Sequence, residues 1–355
     1  MPDIPLQRER VRGFFEAAAK PHAGLWLSHG LQKWNADKTD KGRDFLAHVE
    51  KAARLPAPEV YRAAYKRWQS TVLTEQTFAY KPMPLEGRLF IGMGGASVIE
   101  TAITLSHAYG VPMIPASALK GLTCAYARAL KLDKNTCFAL FGKEGDTPEE
   151  CDAGYVIFHD AWWIPDPKPP LVQEIVTVHH AEYYHENGNQ ATTDFDSPEP
   201  NIQLASRGSF LFAVECSAKI WADYAMGLLG QALSEWGVGG KTSSGYGRFN
   251  TDSDLEKQLS ELQKQLNEEA KRNSLSANQC LIEGLRQKIT IEARGRGENS
   301  ALFVETRGLI EQATNWGDAE KEDLYSTAVE IFELLRVKKD NKNRKCLLRS
   351  LRPLL

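Results

Sequence analysis

Apolar positions follow two periods along the chain, and the change of period divides it into three stretches. Near the start the spacing is three and four. Phe14, Phe15 and Ala18 share one helical face, and Val60, Tyr61, Ala64, Tyr65 and Trp68 repeat the pattern from about Pro58, so both stretches are predicted helices. Residues 35–45 between them are polar and read as a loop. Past residue 250 the helical spacing returns. Leu255, Leu259, Leu262 and Leu266 fall at heptad intervals among Glu, Gln and Lys. The stripe is too short for a coiled coil and fits a surface helix docked on its own protein. Leu281–Ile291 and Leu324–Leu335 read as further helices.

The middle stretch alternates between periods. Arg88–Gly92 reads as a strand ending at glycine. Ser117 is placed to cap a helix from Ala118 to about Leu130, with Leu119, Leu122, Ala125, Tyr126 and Ala129 facing inward. Gly154–His159 and Ser209–Cys216 are predicted strands, Tyr224–Trp236 a helix, and Gly245–Phe249 a short closing strand. Strand, helix, strand, twice over, is the order of an α+β, ferredoxin-like (RRM-like) β-α-β-β-α-β unit. The chain is therefore expected to divide into a helical segment 1–85, a core 86–250 and a helical region 251–355. Such a fold hosts many functions and selects none.

Composition narrows the field. In 355 residues, 43 Lys and Arg oppose 46 Asp and Glu, and 42% of positions are hydrophobic, which excludes a disordered chain. No run of 18 apolar residues is present, and charges occupy the N-terminal stretch where a secretory core would lie. The six cysteines form no CxxC pair, as suits reduced thiols, and a cytoplasmic location is expected. The net charge of −3 hides a strong segregation: +5 over residues 1–90, −8 over 91–250 and zero over 251–355. The last stretch still ends in a basic tail, Arg336, Lys338, Lys339, Lys342, Arg344, Lys345, Arg349 and Arg352, opposed only by Asp340. A solvated face is its ordinary reading, an anchor for phosphates the sharper one.

The densest motif is Gly237-Val-Gly-Gly-Lys-Thr-Ser-Ser-Gly-Tyr-Gly-Arg-Phe249, with five glycines in eleven residues. Glycines leave backbone amides uncovered and admit another backbone closely, while Lys241, Thr242, Ser243, Ser244 and Arg248 add donors for phosphate oxygens. It is not a P-loop, because position 235 is Glu and the loop follows a helix instead of opening one. Gly245-Tyr246-Gly247 partly echoes the RNA-recognition sheet motif, with Ser244 and Arg248 replacing its basic and aromatic positions. A compact turn is the plain alternative; the length and polarity of the loop favour binding. Gly92-Met-Gly94-Gly95-Ala-Ser97 lacks the third glycine of a dinucleotide fingerprint and fits a glycine loop beside a ligand backbone. At Tyr109–Gly121, Ser117 and Lys120 stand in a helix first turn suited to phosphate, although a capped helix explains them equally well. His179-His180-x-x-Tyr183-Tyr184-His185 has no metal-ligand spacing, and stacking on a partner or on bases explains it better than catalysis. No catalytic residue, metal or cofactor is expected.

Taken in order, the Arg88–Ser97 strand end, the Tyr-Gly-x-Pro-x-Ile-Pro-x-Ser-x-Leu-Lys-Gly segment, the His-His-x-x-Tyr-Tyr hairpin and the Gly-rich loop resemble the RAMP superfamily of CRISPR proteins. Ala23–Ser28 adds to the likeness, which covers about 85–250 well. Ala116 departs from it, where the family often has glycine. The resemblance implies a non-catalytic backbone subunit of a type III-B antiviral ribonucleoprotein. It would cap a filament of related RAMP subunits and hold the 3′ part of a guide RNA paired with target RNA. The implied guide contacts are Arg88, Gly94, Gly95, Ser97, Ser117, Lys120, Gly239, Gly240, Lys241, Thr242, Ser243, Tyr246 and Arg248. An inserted thumb at about 171–207, with His179, His180, Tyr183 and Tyr184, would lie against the guide–target duplex. In such complexes a thumb aspartate of a sister subunit cleaves the target, which Asp194 or Asp196 is not expected to imitate. The rival reading is a metal-independent endoribonuclease working through His179, His180 or Tyr184, or a different RAMP backbone subunit.

Overall fold

The computed structural model describes residues 4–5, 21–34, 41–95, 97, 102–143, 151–180, 183, 188–189, 191–196, 198–289 and 297–351. It forms two units, Met1–Gln263 and Lys264–Leu355. The helix predicted around Phe14 and the residues Tyr184 and His185 lie outside the described residues.

In the first unit, helices α1 (Ala23–His29), α2 (Lys41–Ala53) and α3 (Glu59–Thr74) precede β1 (Phe78–Glu86). Then come β2 (Met113–Ile114), α4 (Ala116–Ala129), α5 (Lys134–Phe141), β3 (Ile157–Phe158) and β4 (Ala161–Trp163). A hairpin of β5 (Leu171–Val178) and β6 (Glu199–Ser206) leads into β7 (Ser209–Glu215), α6 (Lys219–Glu235) and β8 (Arg248–Phe249). The sheet is antiparallel in the order β8-β1-β7-β4-β2, with β3 also on β7.

Strand β7 shows why the sheet is the core. Phe210, Leu211, Phe212, Ala213 and Val214 are all buried, the continuous apolar run of a strand covered on both faces. On one face Phe249 packs edge-on against Phe210 and Phe212, beside α6. On the other, Val72 and Trp68 of α3 cover Phe78 and Ala213. Tyr61 pins α3 to the sheet, its hydroxyl donating to the Trp163 carbonyl at 2.6 Å; burial raises its pKa well above the ordinary tyrosine value.

Several predictions of local structure are corrected. The long first strand is Phe78–Glu86, not Arg88–Gly92. Pro82 and Pro84 hide it, because proline reads as a strand breaker. Their missing donors face the β8 edge: the Leu85 amide donates toward β7 to Gly208, whereas the Pro84 carbonyl accepts from Asn250 on the opposite edge. There β8 is only two residues long and pairs with Leu85 and Glu86 alone. Of Arg88–Gly92, Leu89 and Phe90 form single bridges, to Ser206 and Gly240. Ser117 is not the cap of α4. That position is Pro115, and the Asp160 carboxylate accepts from the Ala116 amide at 2.7 Å. The inward face of α4 is Leu119, Thr123, Tyr126 and Ala127, with Ala125 and Ala129 exposed. In α3 the buried set is Tyr61, Ala64, Tyr65, Val72 and Leu73, and Val60 is exposed. Gly154–His159 shortens to Ile157–Phe158, Gly245–Phe249 to Arg248–Phe249, and α6 begins at Lys219. Residues 41–45, read as loop, open α2, whose Val49 and Ala52 pack with Trp26, Leu27, Leu171 and Leu204.

Helix α7 (Ser253–Ser274) contains the boundary between units; of its leucine stripe only Leu259 is buried. In the first unit its Gln263 donates to the Leu73 carbonyl and accepts from the Tyr80 hydroxyl. The second unit holds α8 (Ala277–Arg286), α9 (Ala301–Gln312), α10 (Asp318–Leu334) and α11 (Lys342–Leu351) around its own core, centred on Ile282, Phe303, Leu324, Ile331 and Phe332. No helix among the described residues is long and apolar enough to cross a membrane.

Candidate functional site

Two glycine-rich segments far apart in sequence close on one another. The Gly240 amide donates to the Phe90 carbonyl at 2.7 Å and the Gly247 amide to the Arg88 carbonyl at 2.8 Å. The Val238 amide closes the loop on the Gly247 carbonyl, and Tyr246 packs on Phe90 with ring centroids 4.8 Å apart. Gly239 has φ +91°, and a Cβ there would lie 2.1 Å from the Phe90 oxygen, so glycine is required. On the other side of the 88–90 segment, Leu89 exchanges backbone hydrogen bonds with Ser206 at the foot of β6. Ion pairing of Arg88 with Glu174 at 3.8 Å adds a second tie to the hairpin.

This frame presents backbone outward. Gly92 begins a turn closed by the Gly95 amide at 3.0 Å, and Gly94 and Gly95 are exposed, with nothing within 4 Å of where a Gly94 Cβ would stand. Lys241 adopts the left-handed conformation (φ +59°) and opens a single 3-10 turn, Thr242–Ser244. No acceptor among the described residues takes the amides of Thr242 and Ser243. Exposed Lys241 and Ser243 and the half-buried Thr242 surround those amides. A cationic side chain, two hydroxyls and two open amides make an anion cradle. Arg248 is half-buried, and its guanidinium donates to the Ser234 carbonyl at 3.4 Å, so it braces the loop as well as adding charge.

Ser97 is exposed and lines a cleft of about 500 Å³ with His22, Gly24, Ser28, Ser106 and His107. The remaining predicted residues stand elsewhere. Ser117 is exposed and Lys120 half-buried on α4. The Asp160 carboxylate already occupies the position an anion would take at the Ala116 amide. His179 and His180 lie at the far end of the hairpin. Eight residue pairs run from Glu199 to Ser206, and the seven steps between them span about 24 Å at roughly 3.4 Å per residue. There His180 Nδ1 pairs with Asp196 at 2.8 Å, and Asp196 also accepts from the Thr193 hydroxyl at 2.6 Å and the Thr193 amide at 3.2 Å. These bonds, the Thr193 hydroxyl foremost, hold its carboxyl below the usual range. Asp194, His179 and Tyr183 are exposed. Spacing missed Phe90, Ser206, Glu174 and Asp160. Only Phe90 left a signal, as the middle of the apolar Leu89-Phe90-Ile91 run before Gly92.

Both segments of this frame fall inside a stretch matched by a known family. Residues 83–250 match the sequence model of the RAMP superfamily. The CRISPR system Cmr subunit Cmr6 of Pyrococcus furiosus is 29% identical over 284 residues, which are 63% of this chain and 83% of that protein. Among solved structures, a chain of the type III-B Cmr-beta complex bound to cognate target RNA aligns with a TM-score of 0.47 and 19% identity, covering 69% of this chain and 86% of its own. The crystal structure of Cmr6 from Pyrococcus furiosus aligns with a TM-score of 0.31 and 27% identity, over 49% and 98%.

Proposed function

With the match of residues 83–250 to the RAMP superfamily as the premise, we propose that this chain is a non-catalytic RNA-binding subunit of a type III-B, Cmr-type CRISPR effector. It corresponds there to the sixth Cmr subunit, in a cytoplasmic antiviral ribonucleoprotein. Its partners are guide RNA, target RNA and neighbouring RAMP subunits. The observation that carries the reading is the closure of the 237–249 loop on the 88–95 turn through Gly240 and Gly247. Two backbones joined edge to edge expose the Thr242 and Ser243 amides beside Lys241, a surface fitted to a sugar–phosphate backbone and indifferent to base identity. Similarity to the Pyrococcus furiosus subunit over most of that protein's length supports the assignment.

The strand order supports a ferredoxin-like core. In chain order β1, β4, β7 and β8 are its four strands, they lie side by side as fourth, first, third and second, and α4 and α6 follow the first and third. The β5–β6 hairpin between the second and third strands is then the thumb, with the His180–Asp196 pair at its end.

RNA binding by the full chain tests the reading. Lys241→Ala should weaken affinity for a guide-length single-stranded RNA about three- to tenfold at low salt. It should also flatten the plot of log K against log salt by about 0.7, the share of one phosphate contact. Unchanged affinity and slope would sink it.

One observation favours a second reading. His180 and Asp196 at 2.8 Å are a base and an orienting carboxylate, two parts of a hydrolytic constellation. Among the described residues the hydroxyl bonded to this pair, that of Thr193, donates to Asp196 and not to the imidazole, so no nucleophile stands on the base and the structural reading is preferred.

A further inference from the structure

The second unit segregates its charge along the chain. Residues 264–335 carry nine basic against thirteen acidic side chains, whereas 336–355 carry eight basic against one. In the first stretch three cations are matched: Arg286 pairs with Asp323 and Glu283, Lys288 with Glu305, and Arg307 with Glu311. In the second, Arg344 alone is paired among the described residues. It is buried, donates to the Val337 carbonyl at 2.8 Å and meets Glu333 at 3.8 Å. Arg336, Lys338, Lys339, Lys342, Lys345 and Arg349 are exposed and make no ion pair with any described residue.

Their placement is not what helix stability selects. Lys342 and Lys345 stand in the first turn of α11, which has no acidic residue, although the dipole there favours acids. Arg336 holds the left-handed position after α10 (φ +58°), where glycine fits without strain. Helical spacing then puts Lys342, Lys345 and Arg349 on one stripe. The opposite face, with Leu347, Leu348 and Leu351, is already taken by the unit's own core. Nearby carboxylates are few. Glu298 is engaged by the side-chain amides of Asn341 and Asn343, and Glu333 by Arg344, which leaves Asp340.

We infer that this face of the second unit, Arg336–Lys339 and the outer stripe of α11, is a second RNA-binding surface that holds phosphodiester groups without reading sequence. An amphipathic membrane helix would expose large apolar side chains opposite its lysines, and those of α11 are covered. A protein interface would need an apolar centre, and no large hydrophobic residue among 336–351 is exposed. Cations without an apolar companion match a polyanion whose affinity comes from counterion release. The surface lies outside the 83–250 match and belongs to a different unit from the one that carries the glycine loop.

The test is anisotropy of a labelled, mixed-sequence single-stranded RNA with the full chain, from about 50 to 200 mM salt. Wild type is compared with a variant carrying Lys338→Glu, Lys339→Glu, Lys342→Glu and Lys345→Glu. Affinity should fall about tenfold or more, and the log K against log salt slope should flatten by about 2 to 3, four cations at roughly 0.7 each. The same four positions changed to Gln, with the melting temperature unchanged, should show a smaller loss in the same direction. Unchanged affinity and slope overturn the proposal, as does patch-dependent capture by phosphatidylserine vesicles or polyglutamate without an RNA effect. Lys241→Ala measured alongside separates the two surfaces: a loss there with none in the four-site variant removes this proposal and leaves the loop reading standing.

Discussion

The Phe90 carbonyl accepts the Gly240 amide at 2.7 Å, while the neighbouring Gly239 has no room for a side chain because that same oxygen would lie 2.1 Å from its Cβ. One carbonyl thus fixes both the position and the composition of the loop, which is how two segments about 150 residues apart become one surface. The contrast with Gly94, whose surroundings are open, gives the first prediction.

Gly239→Ala meets a positive φ and a backbone clash, and should destabilise the first unit by about 2 kcal/mol, within the range for strained backbone sites. Gly94→Ala should leave stability within about 0.5 kcal/mol yet weaken RNA affinity, because a methyl group there obstructs a ligand backbone. Urea unfolding and RNA titration on both variants check this. Equal stability of the two variants contradicts the role given to the Phe90 carbonyl.

Asp160 supplies the capping oxygen that Pro115 cannot. Asp160→Ala should cost about 1 kcal/mol, the usual worth of an N-terminal cap. Asp160→Asn should recover part of it, since an amide oxygen still accepts. RNA affinity should stay unchanged in both, which thermal melts and titration report together. Affinity that rises in Asp160→Ala would mean that the α4 terminus binds phosphate once the carboxylate is gone.

Acidification should loosen α1 and α2. His48 is buried beside Trp26, its Nε2 is 3.3 Å from the Leu27 carbonyl, and burial lowers its pKa. The unfolded chain therefore takes up the proton first. Stability is full above about pH 6.5, the unfolded value, and declines as pH falls toward the lowered folded value. Melting temperature against pH should show this decline in wild type and lose it in His48→Leu. A flat wild-type profile between about pH 6.5 and 5 counts against a buried neutral imidazole.

The hairpin end should lack hydrolytic activity. RNA incubated with the full chain in EDTA should stay intact, and a His179→Ala, His180→Ala variant should behave identically on a sequencing gel. Cleavage by wild type that the double variant loses would restore the endoribonuclease reading and give the His180–Asp196 pair a catalytic role.

The sequence by itself determined whatever rests on local periodicity or on glycine. Ser209–Cys216 reads as a strand buried on both faces, since its apolar run Phe-Leu-Phe-Ala-Val is aromatic-rich and the segment is too short for a typical helix. The Gly237–Phe249 string stood out because five glycines cost backbone entropy that only a close approach or a positive φ justifies. The tertiary structure decided which backbone approaches that loop. Leu89 and Phe90 lie in neither a full strand nor a helix, and their bridges to Ser206 and Gly240 are contacts between distant residues that no window of sequence contains. It also decided that Pro82 and Pro84 belong to a strand, because whether a missing donor matters depends on which edge has a partner. For the same reason Ser117 looked like a cap. The carboxylate that takes that place, Asp160, lies 44 residues along the chain from the amide it accepts and becomes its neighbour only when β4 is laid against β2.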